Sequence, residues 1–319
     1  MIKVGVIGAG HLGSIHLKLL NQSKLFKLTG FYDQNVKISE TLKKEFDYHA
    51  FQSIDEIIKS NDAIFIATPT SNHFKIAKNA LENNKHIFIE KPITNTVAES
   101  LKLIEIANKN KLIGQVGHVE RFNPAFVAVM NNIRNPKFIE CHRLSEYPKR
   151  STDVSVILDL MIHDIDIVLS IVDSKIKRIL ANGTSIISKS PDIANARIEF
   201  ENGCIVNLTA SRISLKKMRK SRFFQNDAYI SIDYLNNNTE LVKIKDYNKS
   251  NNYSMVLENI DGDKKEIYYK NPEIIKRNAI EEEHKNFAYS ILMKDKPIVD
   301  LNAGSKALDV AMNILSQIK

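Results

Sequence analysis

The feature that most constrains this chain is a glycine pattern near its amino terminus. Residues 4–13 read Val-Gly-Val-Ile-Gly-Ala-Gly-His-Leu-Gly, which predicts a buried strand, a tight turn and the first turn of a helix. Gly8 fits the tight turn, Gly10 would let a pyrophosphate approach bare backbone, and Gly13 would let the helix pack closely on the strand. The helix, with His11 and Leu12 in its first turn, would offer unpaired N–H groups to the phosphates.

A carboxylate after the second apolar run supports a dinucleotide site. Asp33 follows the run Phe26–Tyr32 and lies twenty residues after Gly13, a spacing typical of the residue that binds the adenine ribose hydroxyls. Its charge would repel a 2′-phosphate, and Gln34 and Asn35 follow it with no arginine to bind one. The sequence therefore predicts NAD rather than NADP.

Apolar runs alternate with helical patterns through the first 120 residues, which predicts a parallel doubly wound sheet with crossover helices. The runs are Val4–Ile7, Leu28–Tyr32, Ala63–Ala67, Ile87–Ile89 and Leu112–Val116. Ligands of such sheets lie beyond the carboxyl ends of the strands. The residues there are predicted to contact the cofactor: Thr68, Pro69, His73, Glu90 and Lys91. Ser71 or Asn72 is the expected cap of the helix that follows Pro69.

The pattern changes after Val116, which predicts a Rossmann domain over 1–120 and a second domain over 121–319. Successive strands without helices between them indicate an α+β domain with a large, mostly antiparallel sheet. The expected strands are 137–142, 176–183, 194–200, 204–212, 228–233 and 240–244, with a tight turn at Asn202-Gly203. The expected helices are 123–133, 153–172, 274–293 and 303–318, the last capped by Asn302.

The helix predicted over 153–172 is apolar around most of its circumference, so it should be largely buried. It nevertheless carries Asp159, His163 and Asp166, whose spacing would place all three on one face of an α-helix. A buried charge needs a partner or water. A self-satisfied Asp–His pair and a catalytic pair are equally compatible with this pattern alone. A histidine held by a carboxylate could take a proton from an alcohol while a nicotinamide takes the hydride, with no metal.

Composition excludes several classes of protein. The formal net charge is +8, but the lysines are spread along the chain without the pattern of a nucleic-acid site. No apolar run is long enough to cross a bilayer, and no signal peptide is expected because the first strand begins at residue 2 or 3. Cys141 and Cys204 have no metal-like spacing and are expected to be reduced, as in a cytoplasmic protein. A sheet with one free face favours a homo-oligomer, a dimer or a tetramer.

Over nearly its full length the chain resembles the Gfo/Idh/MocA family of sugar and inositol oxidoreductases. The motifs that carry the resemblance are the glycine pattern 8–13, Glu90-Lys91-Pro92, the segment 117–124 and Asp159 to His163. In that family the lysine and the histidine line the substrate at the nicotinamide, with the aspartate beside the histidine. The resemblance therefore implies Lys91, Asp159 and His163 as catalytic and substrate-binding residues. The glycine-rich lead-in that many members carry before the Asp-x-x-x-His helix is absent here.

Two segments, 117–124 and 157–166, are similar to the branch of the family that oxidises the 3-hydroxyl of UDP-N-acetylglucosamine. The resemblance implies a nucleotide-sugar substrate and a keto product for an aminotransferase, in amino-sugar and lipid A or surface polysaccharide synthesis. Arg121 and Asn123 are then expected to bind substrate. Arg121 is a candidate for holding a diphosphate, and so is a basic run made of Lys216, Lys217, Arg219, Lys220 and Arg222. For that run a solvated hairpin is the favoured interpretation.

Two alternatives stay open at this point. One is a dehydrogenase of a free sugar or an inositol, which the basic run disfavours only weakly. The other is a non-catalytic NAD-bound sensor or regulator that uses its second domain for interaction. The acid–base pair of Lys91 and His163 argues against the sensor, because a sensor has no need of it.

Overall fold

The computed structural model describes residues 1–147, 154–247 and 255–318 of the chain. The chain divides into two units, Met1–Val119 with Asn278–Asp309 and Glu120–Arg277 with Val310–Lys319. A single division at residue 120, as the sequence indicated, would have left Asn278–Asp309 in the second unit. The structure instead returns that segment to the first unit, where the backbone N–H of Val116 donates to the carbonyl of Val299 at 3.0 Å.

The first unit is built on a five-stranded parallel sheet in the order β2-β1-β3-β4-β5. Its strands are β1 (Ile2–Ile7), β2 (Phe26–Tyr32), β3 (Ala63–Ile66), β4 (His86–Glu90) and β5 (Gly114–Gly117). The five strands coincide with the five apolar runs, and the reversal of strand order at β1 places a crevice beyond the ends of β1 and β3. The predicted doubly wound sheet is confirmed.

The helices of the first unit are α1 (His11–Asn21), α2 (Val36–Phe46), α3 (Ile54–Ser60), α4 (Thr70–Glu82), α5 (Val97–Lys109) and α8 (Ala279–Met293). Helix α9 (Leu301–Gln317) begins in this unit. Its cap was predicted wrongly as Asn302, since Oδ1 of Asp300 accepts the N–H of Ala303 at 2.8 Å. The start of α8 was also predicted too early. The helix begins only after Asn278, whose side chain accepts from Ile280 N and Glu281 N.

The second unit contains a nine-stranded sheet in the order β13-β14-β12-β11-β10-β6-β9-β8-β7. Its strands are β6 (Phe138–Leu144), β7 (Ile176–Thr184), β8 (Ile193–Phe200), β9 (Ile205–Ser211), β10 (Met218–Gln225), β11 (Ala228–Asp233), β12 (Asn238–Asp246), β13 (Met255–Glu258) and β14 (Lys264–Lys270). Strands β6 and β9 pair in parallel and the other neighbours are antiparallel. The predicted α+β class is confirmed. Three strands were missed, because β10 carries the basic run, β13 is only four residues long, and β14 begins and ends with lysine.

The helical segments of the second unit are shorter than predicted. The helix expected over 123–133 is α6 (Pro124–Val127) followed by a 3₁₀ turn, Met130–Asn132. The helix expected over 153–172 is a π-helical turn, Ile157–Met161, that continues into α7 (Ile162–Ile171). Its predicted start at Asp153 lies outside the described residues. The turn at Asn202-Gly203 is confirmed, with Gly203 at a φ of 84°.

The core of the first unit is aromatic and contains Phe26, Phe65, Phe88 and Phe287, all fully buried. The rings of Phe65 and Phe88 stack with centroids 4.6 Å apart. Cys141 and Cys204 are buried and unbridged, and burial raises the pKa of the Cys204 thiol to about 11. None of the helices in the described parts of the chain has the length and apolarity needed to span a membrane.

Candidate active site

The glycine loop between β1 and α1 has the geometry of a phosphate cradle. Gly8 adopts a φ of 90°, and a Cβ added there would lie 2.6 Å from the carbonyl oxygen of Ala67. A Cβ on Gly13 would lie 1.9 Å from the carbonyl oxygen of Gly8, so the first turn of α1 packs directly on the loop. At Gly10 a Cβ would meet nothing within 4 Å. Gly10 is therefore the position at which bare backbone faces open space.

The amino terminus of α1 is open to an anion. Gly10 occupies the cap position and provides no side-chain hydrogen bond, so within the described residues the first N–H groups of the helix are not capped by it. Leu12 in the first turn is 41% exposed, and His11 is exposed as well. An uncapped helix start with bare glycine backbone fits the pyrophosphate of a dinucleotide.

Asp33 links the glycine loop to the end of β2. Its Oδ2 accepts the N–H of Ala9 at 2.7 Å and its Oδ1 accepts the N–H of Asn35 at 2.7 Å. Each carboxylate oxygen has two acceptor lone pairs, so both oxygens keep capacity for ribose hydroxyls. The sequence pointed to the ribose role and missed the bond to Ala9, which fixes the loop on the same carboxylate.

A cleft of about 610 Å³ opens beside this loop within the first unit. Among the residues predicted to bind the cofactor, Gly8, Gly10, Asp33, Thr68 and Pro69 line it. Sequence reasoning missed the face of α4 that forms another wall: Asn72, Lys75, Ile76 and Asn79. Their helical spacing after a strand end was the signal that could have found them. The cleft size and the glycine cradle together fit an adenine nucleotide half.

His73 lies beneath the cleft wall rather than in its lining. Its Nδ1 is 2.9 Å from the carbonyl oxygen of Pro92, and its Nε2 is 2.9 Å from that of Thr68. Burial lowers the pKa of His73 below its ordinary value, against the opposing effect of these carbonyls. The ring thus joins the segments that follow β3 and β4. Neither Ser71 nor Asn72 caps α4, since the cap position is Pro69, which makes no side-chain bond.

Glu90 and Lys91 stand at the carboxyl end of β4. Glu90 is buried, with Oε1 2.8 Å from Nε2 of His16, and its Oε2 accepts the backbone N–H of Lys91 at 3.2 Å. Burial would raise the pKa of Glu90, but the hydrogen bond from His16 and the charges of His16 and Lys91 outweigh it and lower the pKa. Lys91 is partly buried, and the peptide bond between Lys91 and Pro92 is cis.

In the second unit, Asp159 and His163 lie on either side of a change in helix type. Asp159 is inside the π-helical turn, where the N–H of Ile162 reaches the carbonyl of Ile157, and His163 is in the first turn of α7. The two side chains are both partly buried. Single π turns often occur at functional sites. The turn also changes the angular spacing that an uninterrupted α-helix would give Asp159 relative to His163 and Asp166.

The other two aspartates of this segment are held by arginines. Asp166 receives Nε and Nη2 of Arg121 at 2.7 and 3.2 Å. Asp164 receives Nε and Nη2 of Arg143 at 2.9 and 2.8 Å. Both pairs are bidentate, the geometry that fixes orientation as well as charge. Asp166 is therefore bound by Arg121.

Asn123 has intramolecular partners for its whole side chain. Its Oδ1 accepts the N–H of Ala125, and its Nδ2 lies 3.1 Å from Oε2 of Glu120 and 3.3 Å from the carbonyl of Tyr234. Asn123 thus caps α6, with Pro124 in the first helical position. Contact of Asn123 or Arg121 with a substrate stays a prediction.

The basic run is divided between a loop and a central strand. Lys216 and Lys217 are exposed ahead of β10. Within β10, Arg219 pairs with Glu120 at 3.4 Å, Lys220 with Asp233 at 3.3 Å and Arg222 with Glu140 at 2.9 Å. The favoured interpretation of a solvated hairpin fits residues 219–222, which lie on the β10–β11 hairpin with the side chains of Arg219, Lys220 and Arg222 48%, 41% and 44% exposed. Over the described residues, no group of three His, Cys, Asp or Glu side chains could hold a metal ion.

Two family models match this chain. Residues 2–118 match the oxidoreductase family with an NAD-binding Rossmann fold, and residues 114–227 match the Gfo/Idh/MocA C-terminal domain. UDP-N-acetylglucosamine 3-dehydrogenase of Acidithiobacillus ferrooxidans is 32% identical over 314 residues, which are 98% of this chain and 96% of that enzyme. The chain belongs to the Gfo/Idh/MocA oxidoreductase family. This Gfo/Idh/MocA member is therefore an enzyme with an NAD-binding domain, and the predicted family and cofactor are confirmed.

A second relative and two solved structures are also similar to this chain. The scyllo-inositol 2-dehydrogenase (NAD(+)) of Bacillus subtilis is 29% identical over 67% of this chain and 68% of its own length. The solved structure of the Acidithiobacillus ferrooxidans enzyme superimposes with a TM-score of 0.89 at 30% identity, covering 99% and 97% of the two chains. Scyllo-inositol dehydrogenase of Lactobacillus casei, solved with NAD(H) and scyllo-inositol, gives a TM-score of 0.78 at 19% identity, which shows a shared fold.

Proposed function

We propose that this enzyme oxidises the 3-hydroxyl of UDP-N-acetylglucosamine to a ketone with NAD as the oxidant. The observation that carries the proposal is the extent of the similarity to a UDP-N-acetylglucosamine 3-dehydrogenase, 98% of the chain. That extent includes the second unit, where a substrate-specific residue set would lie. The match to the inositol enzyme covers about two thirds of the chain, 67%.

In the proposed reaction the sugar carbon loses a hydride and its hydroxyl loses a proton, so that a ketone remains. The bound cofactor supplies the hydride acceptor. His163 removes the hydroxyl proton, a task suited to an imidazole near neutral pH. Asp159, in the preceding turn, orients the ring and stabilises its protonated form. Lys91 donates a hydrogen bond to the reacting oxygen as negative charge develops on it.

Recognition of the nucleotide diphosphate is assigned to cations of the second unit. Lys216 and Lys217 are exposed in the loop before β10, whereas Arg219, Lys220 and Arg222 already have carboxylate partners. The two lysines are thus better suited to a diphosphate than the rest of the basic run. Replacing both by alanine should raise the Michaelis constant for a UDP-sugar and leave NAD affinity unchanged, and an unchanged Michaelis constant would contradict this assignment.

A 3-keto sugar is a substrate for transamination, because an amine can condense with its carbonyl. We therefore place the enzyme before an aminotransferase, in the synthesis of an amino sugar for lipid A or a surface polysaccharide. A cytoplasmic location fits the two unbridged thiols, Cys141 and Cys204. We also propose that the enzyme forms a homo-oligomer, a dimer or a tetramer.

Oxidation of a free sugar or an inositol is the second candidate. It is favoured by the 29% identity to the scyllo-inositol 2-dehydrogenase of Bacillus subtilis. An inositol carries no diphosphate, so it gives no role to Lys216 and Lys217. A non-catalytic NAD-bound sensor is the third candidate and leaves Lys91 and His163 without a task.

One assay separates the three candidates. Purified protein is incubated with NAD and, in parallel, with UDP-N-acetylglucosamine, other UDP-sugars, free sugars and inositols, and NADH is followed by its absorbance. Activity confined to UDP-N-acetylglucosamine, with a 3-keto product by mass spectrometry after reduction with borodeuteride, is the expected result. Activity on inositols alone would contradict UDP-N-acetylglucosamine as the substrate. The absence of NADH formation with every compound would favour the sensor.

A further inference from the structure

Three buried polar side chains form a hydrogen-bonded chain through the aromatic core of the first unit. His16 comes from α1, Glu90 from the end of β4 and His284 from α8. Nε2 of His16 is 2.8 Å from Oε1 of Glu90, and its Nδ1 is 2.8 Å from Nε2 of His284. Their exposed fractions are 1%, 9% and 2%. The chain runs from the interior to the residue that precedes Lys91.

Aromatic rings surround these three hydrogen-bonded side chains, so burying them costs free energy. The His16 ring lies 5.6 Å from Phe65 and 5.3 Å from Phe88, and the His284 ring lies 4.9 Å from Phe65. Polar groups in such a place lose hydration and must recover it through hydrogen bonds. Apolar side chains of similar volume would fill the same space without that cost. The chain is therefore best explained by what it does to Glu90.

The carboxylate of Glu90 has a cavity shaped for it. A Cβ on Gly117, in β5, would lie 2.9 Å from Oε2 and 3.1 Å from Oε1 of Glu90. Any larger residue at 117 would displace the carboxylate. One oxygen is thus fixed by His16 and the other by the backbone N–H of Lys91 at 3.2 Å. Two neighbouring strands and α1 together define a single position for this side chain.

The protonation of the chain follows from its environment. Burial favours the neutral carboxyl, but the hydrogen bond and charge of His16 and the charge of Lys91 prevail and lower the pKa of Glu90. Glu90 is then the acceptor and Nε2 of His16 the donor. Burial and the charge of His16 set the pKa of His284 well below its ordinary value. His284 is therefore neutral and shares one hydrogen with Nδ1 of His16.

The charged and titratable groups around Glu90 come from four elements. They are His16 of α1, Lys91 after β4, His73 of α4 and His284 of α8. His16 is the member whose side chain hydrogen-bonds the Glu90 carboxylate, and His284 reaches Glu90 through His16. A change at His16 should therefore alter Glu90 more than a change at any of the others.

We propose that His16 and His284 are positioning residues that keep Glu90 ionised and fixed against the backbone of Lys91, and so set the orientation of the lysine for the reaction. The part of this proposal that concerns Lys91 in the reaction rests on the proposed function. The part that concerns the ionisation of Glu90 does not. The outer imidazole orients the inner one, and the inner imidazole holds the carboxylate, as outer partners do around many sites. When His16 is removed, Glu90 should take up a proton at a higher pH.

The variants are His16→Phe, which removes the donor, and His16→Gln, whose amide nitrogen can replace Nε2 as donor to Glu90. His284→Leu removes the outer imidazole. Phe287→Leu is the matched control, because Phe287 packs on the same rings, 5.6 Å from Phe65, without a hydrogen bond to the chain. Thermal unfolding and NAD affinity are measured for each variant to show that the first unit is folded.

The primary readout is independent of turnover: the carbon-13 NMR titration of glutamate carboxyl groups, with the Glu90 signal assigned by its loss in Glu90→Gln. In His16→Phe the Glu90 midpoint should rise by on the order of one pH unit or more. It should rise by less in His284→Leu, and also by less in His16→Gln, which restores the hydrogen bond but not the charge of His16. It should not change in Phe287→Leu. An unchanged midpoint in His16→Phe, with the protein folded, would overturn the proposal.

The second readout is the pH profile of kcat with the substrate found above. Below the limb that His163 sets, kcat in His16→Phe should show a further loss at the pH where Glu90 takes up its proton. This loss should be partly reversed in His16→Gln and absent in Phe287→Leu, even as the melting temperature of Phe287→Leu falls. A fall in stability without this further loss of kcat would mean that the three side chains only specify packing. If Lys91→Ala retains full turnover, the proposed function fails. The Glu90 titration would still test whether His16 and His284 keep Glu90 ionised.

Discussion

Arg121 and Asp166 form a bidentate pair that joins the segment after β5 to the helix of His163. Nε of Arg121 lies 2.7 Å from Oδ2 of Asp166, and Nη2 lies 3.2 Å from Oδ1. The side chains are 13% and 2% exposed, so solvent screens the pair weakly. Asp166 follows His163 by three residues, and the pair therefore fixes the rotation of α7 close to the imidazole.

Breaking this pair should reduce both stability and turnover. Arg121→Met leaves the buried carboxylate of Asp166 without its cation, which we expect to cost about 3–5 kcal/mol of unfolding free energy. Arg121→Lys should recover only part of the loss, because an ammonium cannot reproduce the planar two-donor fork. Urea unfolding and kcat measure the two effects.

The matched control for Arg121→Met is Arg178→Met. Arg178 also pairs with a carboxylate, that of Glu199, but it is 57% exposed. Its loss should change the unfolding free energy by less than about 1 kcal/mol. Equal effects of the two substitutions would contradict a fixing role for Arg121.

Acid should weaken the second unit through Glu120. Nη1 of Arg143 donates to Oε1 of Glu120 at 2.8 Å. Burial would raise the pKa of Glu120, but the charge and hydrogen bond of Arg143 outweigh it and lower the pKa. A carboxyl with a lowered folded-state pKa stabilises the fold above its unfolded pKa, and this stability is lost as pH falls through the folded one. The loss should begin below about pH 4.

The measurement is the melting temperature across the acid range for wild type and Glu120→Gln. The variant should be less stable at neutral pH, and its melting temperature should fall less steeply with acid. Parallel curves for the two proteins would show that Glu120 does not carry this dependence.

The sequence predicted the first unit well because its signals are local. Gly8 has a positive φ, Gly13 has no room for a Cβ beside the loop, and Gly10 leaves bare backbone facing open space, so the pattern defines strand, turn and helix together. The return of Asn278–Asp309 to this unit depends on contacts between distant segments, such as Val116 with Val299. No local pattern encodes such contacts.

In the second unit, local patterns failed where partners determine the structure. Residues 216–222 show no strand pattern, yet Met218–Gln225 form strand β10, which pairs with β6 and β11 in the middle of the sheet. Hydrophobic periodicity also could not predict the π turn at Asp159. An apolar helix of irregular pitch has the same composition as a regular one.

The glycine loop offers a matched pair of substitutions. Gly13→Ala puts a methyl group 1.9 Å from the carbonyl oxygen of Gly8, so α1 must move away from the loop. We expect a lower melting temperature and a large loss of NAD affinity. Gly10→Ala meets nothing within 4 Å and should leave the melting temperature nearly unchanged.

NAD affinity should nevertheless fall in Gly10→Ala, because the methyl group would occupy the space that the pyrophosphate approaches. Calorimetric titration with NAD measures both variants. If Gly10→Ala binds NAD as tightly as wild type, the pyrophosphate does not lie beside Gly10, and the assignment of the glycine loop as a phosphate cradle is contradicted.

Asp33 should determine the choice between NAD and NADP. Its carboxylate lines the cleft and would repel a 2′-phosphate, so wild type should bind NAD more tightly than NADP. Asp33→Asn removes the charge and keeps an acceptor for Ala9, while Lys75 remains in the cleft wall. The ratio of the dissociation constant for NADP to that for NAD should therefore fall by on the order of tenfold or more. Tighter binding of NADP to wild type would refute the prediction.

The catalytic assignment predicts that His163→Ala and Lys91→Ala each lower kcat by on the order of a hundredfold or more, with NAD affinity retained. His163→Ala removes the proton acceptor, and Lys91→Ala removes the donor to the reacting oxygen. Asp159→Asn should lower kcat less and move the acid limb of its pH profile to lower pH, because the carboxylate no longer stabilises the protonated imidazole.

The controls are residues of the same type in the same units. His142→Ala changes a partly buried histidine of β6, and Lys102→Ala changes an exposed lysine of α5 that pairs with Glu105. Both should keep wild-type turnover within a few-fold, since neither lies on a segment assigned to the reaction. Wild-type kcat in His163→Ala and Lys91→Ala would place the acid–base chemistry elsewhere, and a loss in the controls alone would have the same meaning.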